Sequence, residues 1–172
     1  MPTTRTDTRS ESSTSTRRSR SAGTDAIKLL KDDHAEVKKL FGEYDKLVKR
    51  EAEPAEREML ALKICNMLTV HATIEEEIFY PACREALGEG DDLIDEAAVE
   101  HASAKDLIGQ IESARPDEEM YDAKVKVLGE YINHHVKEEQ NELFPKVRTK
   151  IDTKGIGQQL AQRKAELMTK TH

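Results

Sequence analysis

HATIEEEIFYP, residues 71–81, and HVKEEQNELFP, residues 135–145, decide how this chain is to be read. Each opens on a histidine, places a glutamate four residues later and closes on a proline preceded by large apolar side chains. Residues four apart on a helix project from one face. His71 with Glu75, and His135 with Glu139, therefore each aim an imidazole and a carboxylate the same way. A second pair of segments repeats upstream of these. HAEVKKLFG, residues 34–42, and HASAKDLIG, residues 101–109, coincide without gaps at His, Ala, Lys, Leu and Gly. The first and second histidines lie 37 residues apart in one half and 34 in the other. The chain reads as two helical hairpins of one design, each offering His and then His-x-x-x-Glu.

Working outward, the apolar spacing predicts four long helices. Ile27, Leu30, Val37, Phe41, Tyr44 and Val48 form an unbroken 3-4-3-4 seam once His34 is added, over about residues 24–50. Thr24 or Asp25 can cap this helix. Pro54 lies in the connection to the second helix, residues 55–87, whose seam of Leu60, Ile64, Met67, Ile74 and Ile78 includes His71. The third, residues 91–113, has His101 among Ile94, Ala97, Ala104, Ile108 and Ile111. The fourth starts near Pro116 and runs to about Ile151, with His135 and Glu139 following Tyr121, Val125, Leu128 and Ile132. Pro81 and Pro145 are expected to kink or end the helices they sit in, because each frees a carbonyl one turn back. Long helices with short connections pack as an up-down-up-down four-helix bundle, an all-α fold whose core is a usual place for metal sites. The bundle is assigned to residues 24–151. Residues 1–23 read as a disordered basic tail, and residues 152–172 as a C-terminal tail able to form a short fifth helix, with Gly155 and Gly157 softening its start.

Composition narrows the class. The chain has 172 residues, 35% charged and 4% aromatic, with no Trp, which suits one helical domain with a true core. Its net charge of −7 is uneven. Five arginines against Asp7 and Glu11 give residues 1–23 a balance of +3, leaving about −10 on the remainder. Such a body is not expected to bind duplex nucleic acid, which needs a basic face, and suits cation uptake. Cys65 and Cys83 form neither a CxxC pair nor a disulfide framework, and read as buried reduced thiols of a cytoplasmic protein. No stretch approaches the ~20 apolar residues of a membrane span, and no signal-peptide apolar core precedes the helices.

Six ionisable groups aimed at one core demand a reason, since interiors reject unpaired charge. Mixed imidazole and carboxylate ligation suits iron, manganese or zinc. Two inward carboxylates flanked by two histidines on each side suggest a dinuclear site, with open positions for water, oxygen or nitric oxide. The Glu-x-x-His pairs of ferritin-like carboxylate proteins are absent, as is the His-Glu-x-x-His motif of zinc proteases. His134, about 100° round the helix from His135, points to the flank. Glu76 and Glu77 read as a solvated charge run, and Lys105 as an exposed or snorkelling side chain.

On these residues the chain resembles the hemerythrin-like, or HHE cation-binding, domains. The resemblance spans about residues 25–150 and rests on His34, HATIEEEIFYP, EHASAKDL and HHVKEEQNELFP. It implies a four-helix bundle holding a non-haem di-iron centre: two iron ions with an oxo or hydroxo bridge. His34, His71, His101 and His135 would be terminal ligands, and Glu75 and Glu139 the bridges. The oxygen-carrying hemerythrins have a further histidine where this chain has Lys105, and typically an aspartate where it has Gln140. One ion is therefore expected to be under-ligated, which shifts the reading from oxygen carriage toward a reactive, sensing or storage role.

Three functions follow as expectations. The leading one is a binding protein whose ligand is oxygen, nitric oxide or peroxide, or which buffers iron. The second is an enzyme decomposing peroxide or nitric oxide at the same site, so enzyme status stays open. The third is a metal-free helical interaction module using its Arg-rich tail.

Overall fold

The computed structural model describes residues 24–170. The expected basic tail and His172 lie outside the described residues. The first helix, α1 (Ala26–Lys49), is capped by Asp25, whose carboxylate accepts from the Lys28 backbone N–H at 3.1 Å. The second rod begins with Pro54 in its first turn, where a missing N–H costs nothing. It consists of α2 (Pro54–Ile74), one π-helical turn (Glu75–Phe79) and α3 (Tyr80–Leu87), and stops at Gly88 with φ of 88°. Asp91 caps α4 (Asp92–Ser113). The fourth rod repeats the second: α5 (Tyr121–Glu138), a π-helical turn (Glu139–Leu143) and α6 (Phe144–Val147). The last helix is α7 (Thr153–Thr169).

The prolines do less than expected. Neither Pro81 nor Pro145 ends its rod; each is absorbed by the wide turn before it. Tyr80 N–H bonds to the Glu75 carbonyl, and Phe144 N–H to that of Glu139, five residues back in both cases. Each π turn begins at the paired glutamate, an association seen often at functional sites. The fourth helix also starts later than the sequence suggests, at Tyr121 rather than near Pro116. Arg115 pairs with Asp117, and its N–H bonds to Glu118, so residues 115–118 form a local turn instead.

α1 packs on α2, α2 on α4, α4 on α5, and α5 back on α1, closing the bundle. Its interior has two apolar clusters. One joins Leu30, Ile74, Phe79, Ile94, Phe144 and Val147 near the π turns. The other joins Leu40, Ile64, Leu68, Ile108, Ile111 and Leu128 further along. The four seam histidines lie between them in sequence on every helix. Beyond the second cluster, Arg57 of α2 grips Asp122 of α5 with two hydrogen bonds of 2.6 and 2.7 Å, and Tyr44 of α1 donates to the same carboxylate at 2.6 Å.

The fifth helix is longer and better anchored than the sequence implied. α7 lies against α1 and α2 and buries Ile156 and Leu160 with the first cluster. Asp152 caps it. Gly157 does not soften the start so much as permit contact: a Cβ there would lie 1.7 Å from the Thr24 carbonyl oxygen. Backbone approaches this close accept only glycine.

Candidate metal centre

The seam histidines come from α1, α2, α4 and α5, and all four are buried, as are Glu75 and Glu139. The structure brings all six together. Rings pair within each hairpin: His34 with His71 at 4.9 Å between centroids, and His101 with His135 at 4.8 Å. Each carboxylate touches both pairs. Glu75 Oε1 lies 3.0 Å from His71 Nε2 and 3.4 Å from His101 Nε2. Glu139 presents Oε1 at 3.4 Å from His34 Nε2 and Oε2 at 3.1 Å from His135 Nε2.

Each outward ring nitrogen faces a polar partner, whereas on the inward side His34 Nε2 and His71 Nε2 have no hydrogen bond. His71 Nδ1 lies 2.9 Å from Asp33, and His34 Nδ1 lies 2.8 Å from Gln140 Oε1. His101 Nδ1 lies 3.3 Å from Glu76, and His135 Nδ1 lies 3.6 Å from Glu100. A partner on Nδ1 fixes ring orientation and leaves Nε2 to face the interior, as in carboxylate–histidine–metal arrangements. Asp33 is bonded in turn by Lys164 of α7, and Glu76 by Lys105 at 2.5 Å.

One sequence reading is corrected here, and that of Lys105 as exposed holds. Glu76 is not merely part of a solvated run, since it backs His101. Lys105 is half exposed but spends its charge on Glu76. Glu77 does face outward, where Arg163 holds it, and His134 is largely exposed beside Glu138. The outer partners Asp33, Glu76, Glu100 and Gln140 went unrecognised in the sequence, and a signal for them existed. An acid precedes each first histidine (Asp33, Glu100), and a polar residue follows each paired glutamate (Glu76, Gln140), so extending the repeat by one residue finds them.

Tyr80 was also missed. Its hydroxyl donates to Glu139 Oε2 at 2.6 Å and lies 3.2 Å and 3.3 Å from the Nε2 atoms of His101 and His135. Burial and the Glu139 and Glu75 charges push its ionisation well above the usual phenol range, so without a metal it stays a proton donor.

Protonation of the protein groups alone shows what the cluster lacks. Burial pulls the His71 imidazole toward neutrality, but Glu75 and Asp33 outweigh it and raise its pKa to about 10. For His135, burial is overcome by Glu100, Glu139 and Glu75, and the value rises to about 11. Burial would raise Glu75, yet the adjoining imidazoles hold it well below the ordinary carboxylate range. Protons thus stand in for a cation, incompletely: His34 Nε2, His71 Nε2, both oxygens of Glu75 and Glu139 Oε1 are buried without a hydrogen bond. His71 and Glu75 are close enough for an ion pair but misdirected for a hydrogen bond. Leaving such groups unmatched costs several kcal/mol per ion. The possible ligand atoms, imidazole nitrogens and carboxylate oxygens, lie within 4.8 Å of one another in the sets His34–His71–Glu75–Glu139 and Glu75–His101–His135. That donor set fits one or two divalent cations of the iron, manganese or zinc type. Cys65 and Cys83 take no part: both are free and buried, and burial pushes each thiol up to about 12.

Among the described residues no helix is long and apolar enough to cross a membrane. A DNA nickase from Nostoc sp. (strain PCC 7120) is 29% identical over 137 residues; the match covers 80% of this chain and 37% of that protein. The crystal structure of a hemerythrin HHE cation binding domain-containing protein from Mycobacterium kansasii superposes with a TM-score of 0.68 at 22% identity, covering 85% of this chain and 88% of that one, and so shares its fold. The hemerythrin HHE cation binding domain family matches residues 25–147, the whole bundle, and the chain belongs to that family.

Proposed function

We propose that this protein holds two iron ions between its hairpins and uses them to bind or sense oxygen, nitric oxide or peroxide, or to buffer iron. The observation that carries this reading is the set of buried, unbonded donor atoms on His34, His71, Glu75 and Glu139. His34 and His71 would hold one ion, His101 and His135 the other, with Glu75 and Glu139 reaching both. Iron there would supply one-electron chemistry and open positions for a small oxidant. The protein's own contribution is orientation and exclusion of water. Asp33, Gln140, Glu76 and Glu100 set the rings; the two apolar clusters enclose the carboxylates. Tyr80 offers a hydroxyl beside His101 and His135, where the fifth histidine of oxygen carriers is missing, and would complete that side. Protein reconstituted anaerobically and washed should retain two irons per chain. Retention of far fewer than two would overturn the reading.

Turnover of peroxide or nitric oxide at the same site is the second reading, favoured by Tyr80 as a buried proton donor 2.6 Å from Glu139. Steady oxygen release from peroxide, lost in Glu75→Gln, would establish it; a single stoichiometric reaction would dismiss it. The name of the Nostoc relative raises a nucleic-acid reading. This chain spans about a third of that protein, and the net charge of −7 disfavours duplex contact. We expect no salt-sensitive DNA binding in fluorescence anisotropy. We place the protein in the cytoplasm, in keeping with its two free thiols.

A further inference from the structure

A cavity of about 210 Å³ opens onto the histidine cluster, and all four histidines line it. Its other walls include Val37, Ala104, Ile108 and Ile132. The exposed lining residues Lys105 and Tyr131 and the half-buried Lys164 mark its mouth. Size is the deciding quantity. A water molecule takes about 30 Å³ of liquid, and a dry protein cavity of about 150 Å³ holds benzene. A diatomic molecule would leave most of this space empty, whereas an organic molecule of about eight heavy atoms would fill it. Charge is the second consideration. Lys105 is tied to Glu76 and Lys164 to Asp33, so two of the three lysines that line the cavity are neutralised and the third, Lys63, has no ion-pair partner among the described residues. A neutral guest enters such a mouth without stripping a counter-charge. The inner end is polar and the walls are apolar, which asks for an apolar body with one small oxygen head.

We propose that the cavity admits neutral organic molecules of this kind, organic hydroperoxides being the oxidant class that fits. The placing of the head group rests on the metal reading above; the fit of the body to the walls does not. The claim concerns binding and requires no turnover.

The test uses redox-silent zinc-loaded protein and, in parallel, metal-free protein. The probe is 4-fluorophenol, followed by fluorine NMR. Saturable one-to-one binding, displaced by tert-butyl hydroperoxide, is expected. Ala104→Leu pushes three more carbons into the cavity one turn from His101. It should weaken binding at least about tenfold while leaving zinc content and helicity unchanged. Should that variant fail to fold, Ile132→Ala enlarges the same space and should admit a fluoronaphthol that the parent protein excludes. Absence of saturable binding, or binding that neither substitution changes, would overturn the proposal. Zinc content separately reports the metal reading: a chain that binds the probe but no metal keeps the cavity and loses the centre.

Discussion

The first hairpin (α1 to α3) and the second (α4 to α6) make the same contacts with different chemistry. In each, the acid before the first histidine backs the second: Asp33 behind His71, Glu100 behind His135. In each, the residue after the paired glutamate crosses to the other hairpin: Glu76 to His101, Gln140 to His34. In each, the aromatic residue before the proline covers a histidine of the opposite half. Phe144 stacks on His34 with centroids 6.0 Å apart, and Tyr80 tilts over His101 at 5.3 Å. The differences are a carboxylate in place of an amide and a hydroxyl in place of a hydrogen. Both enrich the His101–His135 side in oxygen donors. A repeated design has thus yielded two unlike positions, and the under-ligated side predicted from Lys105 is the side that Tyr80 adjoins.

Replacing either carboxylate gives the sharpest break. Because Glu75 and Glu139 each reach both histidine pairs, Glu75→Ala and Glu139→Ala should each lose both ions, by more than about 100-fold in affinity. Elemental analysis that found one ion left in either variant would show that the carboxylates belong to separate halves. The outer acids come next. Asp33→Asn and Glu100→Gln should each weaken metal retention by about 10–100-fold, and by similar factors if their places are equivalent. Chelator competition measures this; a large effect in one alone would break the equivalence.

Protonation gives a smaller effect with a definite sign. In the metal-free fold, His71 and His135 have pKa values raised to about 10 and about 11, above the ordinary imidazole value of about 6.5. Their contribution to metal-free stability is full below about pH 6.5 and lost as pH rises through about 10 to 11. At pH 8 both carry protons that a metal must displace, so loading should release about two protons per chain, one from each hairpin. An indicator dye in weak buffer reads this; zero release would contradict the imidazolium state. Acid should expel the metal in turn. The smallest effect is expected from Tyr80→Phe, which makes the hairpins alike at the residue before the proline. It should keep both ions, alter the iron absorption spectrum and cost the metal-free protein about 1.5–3 kcal/mol in urea denaturation, the range for a buried hydrogen bond to a charged group. An unchanged spectrum would remove Tyr80 from the centre.

Much of this was legible beforehand for a plain reason. A helix converts spacing into direction, so a histidine in an apolar seam announces its burial, and the internal repeat announces that two hairpins meet. His34, His71, Glu75, His101, His135 and Glu139 all lie where the seams place them. Tyr80 was not legible, because it precedes a proline that seemed to end its helix. Only the π turn, by adding a residue to one turn, swings its hydroxyl onto Glu139 and His101. Glu76 was hidden for a related reason: in a run of three glutamates, spacing alone does not tell which carboxylate finds a partner on another helix.

The amino-acid order by itself determined the helical class, the paired hairpins and the six inward donors, since these depend on periodicity within single helices. Tertiary structure alone decided the outer partners of each imidazole, the placing of Tyr80 and Phe144, the docking of α7 through Gly157 and the cavity over the histidines. Those depend on how far apart two helices settle and how they rotate against each other, and no spacing within one helix encodes that.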